Sequence, residues 1–461
     1  MFTVALALSC VTVAVLAAYP MAGIVLLFIS KPIIDATWGQ PVVADLPLTQ
    51  VVSGLVPIVI FARMVIARPE EQFRHMPLRG VWATYAMFIG FCSSIALFHE
   101  GWSSGANVFF RHINGFVGFY MIQAYFHQQG RLKVLLLGLI VAGFFPIGTG
   151  LYQLATGTTW RFQEVEGIAR NIGLYHNGVT IRLYALQSIL AALLYGVLYA
   201  KSGIVKQAAV WAYMAMAAAV LAKAYSKAGI LIITLWISSW TLLQRKFAAF
   251  AVILGLVFIL GVSLAAAYFE SIVQIYHKEL GFFSGREEAF RTFNGRWYGW
   301  EEMYTRWMHF DVFAKAFGSG QLTLGAHNDY LQMLFHGGIV GVLLYLVLLG
   351  TVGYRVVLNL RTCSDPLAIA ALMLFLSWIV DTIGLNPSAY PQYQWFLWGM
   401  IGLSFRLREN EAYEARLDVR QTGEHIPPTR YQVAPTVSAS LRPQTKFPLV
   451  SDLRGKRAEA R

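Results

Sequence analysis

Long apolar segments alternate with short polar ones along most of the chain. A helix that crosses a bilayer needs about 20 predominantly apolar residues. The pattern therefore predicts an all-α integral membrane protein with about 12 transmembrane helices. The predicted spans are 2–30, 50–67, 80–99, 104–126, 134–155, 181–200, 207–222, 228–243, 247–269, 328–352, 366–385 and 391–406.

The two ends of the chain differ in composition. Residues 2–30 are almost wholly apolar with Pro20 in the middle, so they form either one kinked helix or two short ones. They lack a basic leading region and a small-residue cleavage pattern, which favours a retained span over a signal peptide. We divide the chain into a polytopic domain, 1–406, and a polar, proline-containing tail, 407–461. Such a composition is typical of a cytoplasmic, largely disordered tail.

Basic residues concentrate in alternate short loops, which fixes the predicted orientation. With 2–30 as one span, every such cluster falls on one side, and the positive-inside rule makes that side the cytoplasm. The clusters are Arg68, Arg74 and Arg79; Arg131 and Lys133; Lys201 and Lys206; Arg245 and Lys246; Arg355 and Arg361; Arg406 and Arg408. The loops 156–180 and 270–325 and the turn at Ser226–Lys227 then face the periplasm. We predict a bacterial inner-membrane protein with a large periplasmic loop.

Composition agrees with this class. The chain is 57% hydrophobic and 13% charged, against roughly 25% charged in soluble domains. The net charge of +12 follows from the basic loops, and no basic stripe is interleaved with aromatic residues as nucleic-acid binding would require. Cys10, Cys92 and Cys363 are too scattered for a disulfide framework or a metal site. We predict neither a metal nor another cofactor.

Several cations lie on the predicted outer face, where the positive-inside rule disfavours them, and an anionic ligand is the simplest reason. They are Arg161, Arg170, Lys227, Arg286, Arg291, Arg296 and Arg306. Arg286 and Arg306 can instead pair with nearby glutamates on surface helices. Arg296 is the better ligand candidate, because it follows a glycine, precedes a tryptophan and has no carboxylate within four residues.

His327 is the candidate catalytic residue. It stands between the turn Gly318–Gly320 and an apolar helix, and Asn328 and Asp329 follow it. We expect it at the start of that helix, above an apolar ridge formed by residues at helical spacing. An unperturbed histidine pKa near 6.5 suits general-base work at neutral pH. His336, deeper in the same helix, is more simply structural.

Four more cations are candidate ligands. Arg170 ends the outer loop 156–180, and Arg182 lies just inside the next span. Arg111 lies within 104–126; a charge at membrane depth is costly, so it is a functional candidate, and Asp381 is its expected partner. Lys227 is equally well explained as an interfacial lysine and as a ligand.

These motifs resemble, in their order, the superfamily of O-antigen ligases and Wzy-type O-antigen or exopolysaccharide polymerases. The resemblance covers about Arg170 to Gly341. It rests on Gly295-Arg296 in a long outer loop, Gly318-Ser319-Gly320, His327-Asn328-x-Tyr330-Leu331 and Gly337-Gly338-Ile339-Val340-Gly341. Two earlier landmarks also fit: Arg170-x-x-Gly173 with Asn177, and Ser226-Lys227, where the family usually carries arginine.

The resemblance implies a metal-independent glycosyltransferase of the membrane-embedded GT-C type, which transfers a glycan from undecaprenyl diphosphate to an acceptor hydroxyl. His327 would be the general base. The substrate-binding positions would be Arg170, Arg296, Lys227, Arg182, Arg111, Asn328 and Tyr330.

The residues themselves are compatible with this chemistry. A transferase that faces the periplasm lacks nucleotide sugars and needs a lipid-linked donor with its diphosphate at headgroup level. Guanidinium groups pair bidentately with phosphate oxygens and stabilise charge that develops on a leaving group. Direct displacement predicts inversion at the anomeric carbon, and the paired carboxylates of retaining glycosidases are not evident in the sequence.

The acceptor stays open between two enzymes. A polymerase would use another lipid-linked repeat, and a ligase would use lipid A-core; we favour the polymerase. A flippase and a chain-length regulator are candidate protein partners. A rival class, a transporter of the same lipid-linked glycan, would want internal repeats and ionisable residues near mid-membrane. A non-catalytic scaffold is a further alternative.

Overall fold

The computed structural model describes residues 1–43, 46–158, 160, 163–165, 168–200, 203–224, 226–245, 284, 296–321, 327–362 and 365–422. The predicted span 247–269 and most of the loop 270–325 lie outside the described residues. So do Arg161, Arg286 and Arg291.

The described chain is almost entirely helical. Its helices are α1 (Phe2–Ala18), α2 (Pro20–Asp35), α3 (Leu48–Val65), α4 (Arg79–Glu100), α5 (Trp102–Tyr125), α6 (Gln129–Thr156), α7 (Gly178–Tyr199), α8 (Ile204–Lys223), α9 (Lys227–Leu243), α10 (Arg296–Met308), α11 (Val312–Phe317), α12 (Asp329–Thr362), α13 (Pro366–Gly384) and α14 (Pro391–Thr422). Single 3₁₀ turns occur at Pro69–Glu71, Phe73–His75 and Pro387–Ala389.

Strands are confined to two small hairpins within the described residues. β1 (Pro41–Val43) pairs with β2 (Leu46–Pro47), and β3 (Glu164–Val165) pairs with β4 (Ile168–Ala169), both antiparallel. Seven helices of the described part are long and apolar enough to cross a membrane: α3, α4, α6, α7, α8, α12 and α13. The prediction of an all-α, multi-pass membrane protein is confirmed at this level.

The chain divides into two compact units, Met1–Asn410 and Glu411–Arg461. In the predicted tail, α14 continues as a helix to Thr422. The rest of that tail, 423–461, lies outside the described residues.

The N-terminal apolar segment forms two helices, which answers the question that Pro20 raised. The chain breaks at Tyr19, and Pro20 begins α2 as its first residue, a position where its missing N–H costs nothing. The two helices pack so closely that a Cβ on Gly23 would lie 2.2 Å from Leu16 Cα. Arg63, at the end of α3, donates to the Ala17 carbonyl at 3.3 Å. The turn between α1 and α2 therefore lies beside the end of α3.

α5 and α14 pack closely against each other. A Cβ on Gly118 would lie 2.5 Å from Trp395 Cα, and one on Gly399 would lie 2.3 Å from an Ile122 side-chain atom. Small residues allow backbones to approach in a membrane, where helix association depends on packing. Trp395 donates to Asn114 Oδ1 at 2.7 Å across this interface, so the position of α5 is fixed against α14.

Three of the basic loops meet at one end of the helices. Arg406 in α14 donates to the backbone carbonyl of His75, between α3 and α4, at 2.6 Å. Arg355, near the end of α12, pairs with Glu409 at 2.9 Å. The loops predicted to share a side thus do so here. Because α13 runs from this end to Gly384, the residues near Gly384 lie at the opposite end.

α12 is broken by a crossing segment of backbone. Gly338 has φ 62° and ψ −161°, outside helical space. The carbonyl of Phe335 instead accepts from the backbone N–H groups of Ser319 at 2.9 Å and Gly320 at 3.2 Å. A Cβ on Gly338 or on Gly318 would lie within 2.4 Å of backbone atoms across this crossing. The Gly-Ser-Gly turn thus has two roles: its glycines permit the close approach of the two backbones, and its N–H groups hydrogen-bond to the carbonyl that the break in α12 leaves unpaired.

Gly338→Ala should therefore destabilise the protein by roughly 3 kcal/mol or more, since its φ and ψ belong almost exclusively to glycine and the added methyl would overlap backbone. Thermal unfolding in detergent measures this. The matched control is Gly350→Ala in the same helix, where a Cβ would meet nothing within 4 Å; it should be neutral or stabilising by about 0.5–1 kcal/mol. Equal melting temperatures for the two variants would contradict this account of the break.

Candidate functional site

A buried ion pair underlies the end of the molecule that carries His327. Arg182 in α7 and Asp381 in α13 are 1% and 0% exposed, and Nη2 of the arginine lies 2.7 Å from Oδ1 of the aspartate. Arg182 also donates to Ser226 Oγ at 3.4 Å, just before α9. Asp381 was expected to pair with Arg111. That expectation was wrong, because Arg182 occupies the carboxylate.

Arg170 lies next to this pair, directly after β4. Its Nε donates to the carbonyl of Ala224 at 2.8 Å, and the backbone carbonyl of Arg170 accepts from Gln153 Nε2 at 3.3 Å. A Cβ on Gly178 would lie 3.2 Å from the Arg170 guanidinium carbon. Partial burial, with the charges of Arg182 and Arg296, lowers the pKa of Arg170. The three guanidinium groups are therefore electrostatic neighbours.

Arg296 is the first residue of α10. Its Nη1 would lie 3.3 Å from a Cβ on Gly384, at the end of α13. Burial and then the charge of Arg182 lower its pKa. Arg170 and Arg296, which the sequence analysis selected separately, thus both lie near Arg182 of the buried ion pair.

His327 lies beside Arg296, but not as expected. Its backbone is in the left-handed region at φ 42°, its side chain is exposed, and α12 begins only at Asp329. The predicted helical start above an apolar ridge was therefore wrong. Desolvation by surrounding protein and then the charge of Arg296 lower the pKa of the imidazole. The ring is thus neutral at pH 7 and available as a proton acceptor.

Asn328 and Tyr330 have structural contacts. Asn328 Oδ1 accepts from the backbone N–H groups of Tyr330 and Leu331, both at 3.0 Å, so it caps α12. Its Nδ2 donates to the Ile383 carbonyl at 3.3 Å, and the Tyr330 hydroxyl accepts from Thr382 at 3.3 Å. Both side chains hold the start of α12 against the end of α13, which positions His327.

Lys227 is the first residue of α9 and is exposed. The side chain of Ser226 caps this helix by accepting from Gly229 N–H at 3.2 Å. Because the same hydroxyl contacts Arg182, Lys227 lies one residue from the ion pair, at the same end of the helices.

Arg111 belongs to a different, deeper cluster. It interacts electrostatically with Asp329 and Tyr390. Asp329 is 2% exposed, and its carboxylate accepts from Ser388 Oγ at 2.6 Å and Ser388 N–H at 3.3 Å. Gln394 Nε2 donates to the Arg111 carbonyl at 3.0 Å. Arg111 thus lies with Asp329 and Tyr390, which are also near the Arg182–Asp381 pair.

A chain of buried polar side chains runs through this deeper cluster, and sequence reasoning missed most of it. Asn386 Nδ2 donates to Gln332 Oε1 at 3.0 Å, and Gln332 Nε2 lies 3.1 Å from His336 Nε2. His336 Nδ1 lies 3.0 Å from His112 Nε2, and His112 Nδ1 lies 3.5 Å from the Tyr85 hydroxyl. The Gln332 amide N–H must donate to His336 Nε2, so in a neutral His336 ring the proton is on Nδ1 and is donated to His112 Nε2. The proton of a neutral His112 ring is then on Nδ1, facing the Tyr85 hydroxyl. The sequence feature that could have indicated this chain is the presence of His112 and His336 within otherwise apolar helices.

This deeper cluster encloses a cavity of about 10 Å³. Its lining includes Asp329, His112, Tyr345, Ser388 and Gln394. A volume of this size matches about one water molecule, so no sugar fits there.

Arg170, Arg182 and Arg296 are guanidinium groups close to one another, and Arg296 lies beside the neutral imidazole of His327. The group of three or more His, Cys, Asp or Glu side chains that a metal ion needs does not occur among the described residues. Guanidinium groups bind phosphate oxygens, and a neutral imidazole accepts a proton. The arrangement suits phosphate binding next to proton removal.

No family model matches this chain, and no curated protein matches it. The resemblance to the ligase and polymerase superfamily therefore rests on the motifs quoted above.

Removing one member of the buried pair should be costly, because it leaves an uncompensated charge. Arg182→Met should lower the free energy of unfolding by about 3–5 kcal/mol, and Arg182→Met with Asp381→Leu should recover much of that loss. The control is Arg355→Met, which breaks a pair whose side chains are 25% and 40% exposed and should cost about 0–1 kcal/mol. Thermal unfolding in detergent distinguishes these values. Additive losses in the double variant would contradict the coupling.

Proposed function

We propose that this protein is a bacterial inner-membrane glycosyltransferase of the GT-C type, with about 12 transmembrane helices and its active site at the periplasmic face. It transfers a glycan from undecaprenyl diphosphate to an acceptor sugar hydroxyl. The reaction is metal-independent and inverts the anomeric carbon. We further propose that it is a Wzy-type polymerase, whose acceptor is another lipid-linked repeat unit.

One observation carries this proposal. Arginines from three distant parts of the chain, at positions 170, 182 and 296, are electrostatic neighbours, and Arg296 acts on a neutral, exposed His327. Like charges are brought together at a cost, which an anion of two or more charges would offset. A diphosphate at headgroup level has that charge.

The proposed roles follow from the contacts. The His327 imidazole removes the proton of the acceptor hydroxyl while the hydroxyl oxygen forms a bond to the anomeric carbon. The bond between that carbon and the diphosphate oxygen breaks, and the leaving diphosphate keeps the electron pair. Arg170, Arg296 and Lys227 stabilise its charge. Arg182 is held by Asp381 and adds positive charge near Arg170 and Arg296.

His327→Ala should abolish transfer from an undecaprenyl-diphosphate glycan, with the purified protein folded as before. A general base contributes about 10²–10⁴-fold to rate. The control is His99→Ala, an exposed histidine at the last turn of α4, which should leave transfer within about twofold of the parent, as surface substitutions do.

The products of His327→Ala in cells distinguish the rivals. Loss of long-chain polymer with accumulation of lipid-linked single repeats supports the polymerase. Loss of glycan on lipid A-core, with polymer still made on the lipid carrier, identifies a ligase instead. Unchanged glycan assembly points to a transporter or a scaffold and refutes the transferase.

The acid limb of the pH–rate profile provides a second test. The pKa of His327 lies below 6.5, so the active neutral form persists at pH 6.5, and activity falls only as pH drops through the lowered value. Arg296→Gln removes one cause of the lowered pKa of His327, so the acid limb of the pH–rate profile should move to higher pH. This shift is expected even if the variant also has a lower maximal rate. Arg306→Gln, on the same helix and exposed, should leave the limb in place. A limb unmoved by Arg296→Gln would remove His327 from the rate-limiting proton transfer.

A further inference from the structure

At the opposite end of the helices, three arginines surround one histidine. Arg74 Nε lies 3.2 Å from His75 Nε2, Arg79 donates to the carbonyl of Arg74, and Arg406 donates to the carbonyl of His75 at 2.6 Å. The guanidinium groups thus come from the loop before α4, from the start of α4 and from α14. The backbone contacts fix them in one place.

The electrostatics of this basic cluster are unbalanced. Each of the three guanidinium groups donates to a neutral acceptor, a carbonyl or a ring nitrogen. The carboxylate of Glu409 is near Arg406 but forms its ion pair with Arg355 at 2.9 Å. Three cations held together without an ion-pair partner among the described residues repel one another. A bound anion would remove that cost.

His75 contributes an acceptor and no further charge. Burial, followed by the charges of Arg406, Arg74 and Arg79, lowers its pKa, and its side chain also bonds to the backbone of Pro69. The neutral ring accepts from Arg74 and so orients that guanidinium. The cluster is therefore arranged before any ligand arrives.

The start of α4 adds free donors beside the cluster. α4 has 22 residues, no side-chain cap and no acidic residue in its first turn. Leu78 turns the chain into it at φ 55°, and a Cβ on Gly80 would meet nothing within 4 Å. Open space thus lies above backbone N–H groups that favour negative charge.

We propose that Arg74, Arg79, Arg406 and the first turn of α4 form a binding site for a phosphate group, the headgroup phosphate of an anionic membrane lipid. This site lies at the end of the helices opposite His327 and is independent of the proposed transfer reaction. An anionic lipid attracts basic residues at a membrane surface and pairs with guanidinium groups. The lipid tails would lie along the apolar surface of α4.

The test uses the full-length protein, delipidated in detergent, with three probes: dioleoyl phosphatidylglycerol, dioleoyl phosphatidylcholine and inorganic phosphate. Native mass spectrometry counts retained lipid, and thermal unfolding reports stabilisation by bound ligand. Phosphatidylglycerol should bind and raise the melting temperature, and phosphatidylcholine should bind at least about tenfold more weakly, since the zwitterionic headgroup neutralises no net charge. Equal binding of the two lipids would overturn the proposal.

The variants locate the site. Arg79→Gln should weaken phosphatidylglycerol binding about tenfold or more, the loss expected for a charge-assisted hydrogen bond. Arg361→Gln, an exposed arginine in the last turn of α12 at the same end, is the charge-matched control and should change binding by less than about twofold. Equal losses in the two variants would reduce the site to general surface charge and overturn the proposal.

Gly80→Asp keeps the test decisive if an arginine variant loses stability. Its side chain enters open space, and its carboxylate suits the first turn of a helix, so the lipid-free protein should melt no lower than the parent. It should nevertheless abolish the stabilisation by phosphatidylglycerol, because its carboxylate takes the place of the phosphate. Unchanged lipid binding in this variant would overturn the proposal. Competition by inorganic phosphate alone, with no gain from the lipid tails, would keep the phosphate site but refute its assignment to a lipid.

Discussion

A charge buried between membrane helices must find a partner, and the Arg182–Asp381 pair is where this chain meets that constraint. The pair links α7 to α13 through an ion pair of 2.7 Å between almost fully buried side chains. Ser226 adds the start of α9 through its hydroxyl. The cost of desolvating two ions is offset only when geometry is close. The ends of these three helices are therefore held together, and the surface on which Arg170 and Arg296 lie is fixed with them.

A second constraint is the break in α12. A spanning helix can be interrupted only where other groups satisfy the freed backbone. Here Ser319 and Gly320 supply N–H groups to Phe335, and glycines on both sides let the two backbones touch. This crossing ties the loop that precedes His327 to the interior of the bundle. Asn328 caps α12 one residue after His327 and contacts the Ile383 carbonyl, so it holds the imidazole near the end of α13.

The two ends of the bundle carry positive charge for different physical reasons. At one end, Arg170 and Arg296 lie near Arg182 of the buried ion pair, and Arg296 lies near the neutral His327, which suits a ligand that reacts. At the other end, arginines surround His75, whose ring accepts from Arg74, and Arg79 and Arg406 donate to backbone carbonyls. Such a static arrangement suits a ligand that is only held. Charge alone does not distinguish these ends; the neighbouring groups do.

The sequence by itself determined the class of fold, because a membrane span is set by the length and polarity of a local segment. It also selected His327, Arg170 and Arg296, since cations and histidines at span boundaries are unusual wherever they end up. It did not reveal that Asp381 pairs with Arg182 instead of Arg111, or that His112 Nε2 lies 3.0 Å from His336 Nδ1. Those contacts join residues about 200 positions apart, and pairing at that separation depends on how helices pack, which no local pattern encodes. The left-handed backbone at His327 places the imidazole before the first residue of α12, next to the cap that Asn328 forms. Asn328 also contacts the Ile383 carbonyl at the end of α13, so only the tertiary structure could place the imidazole.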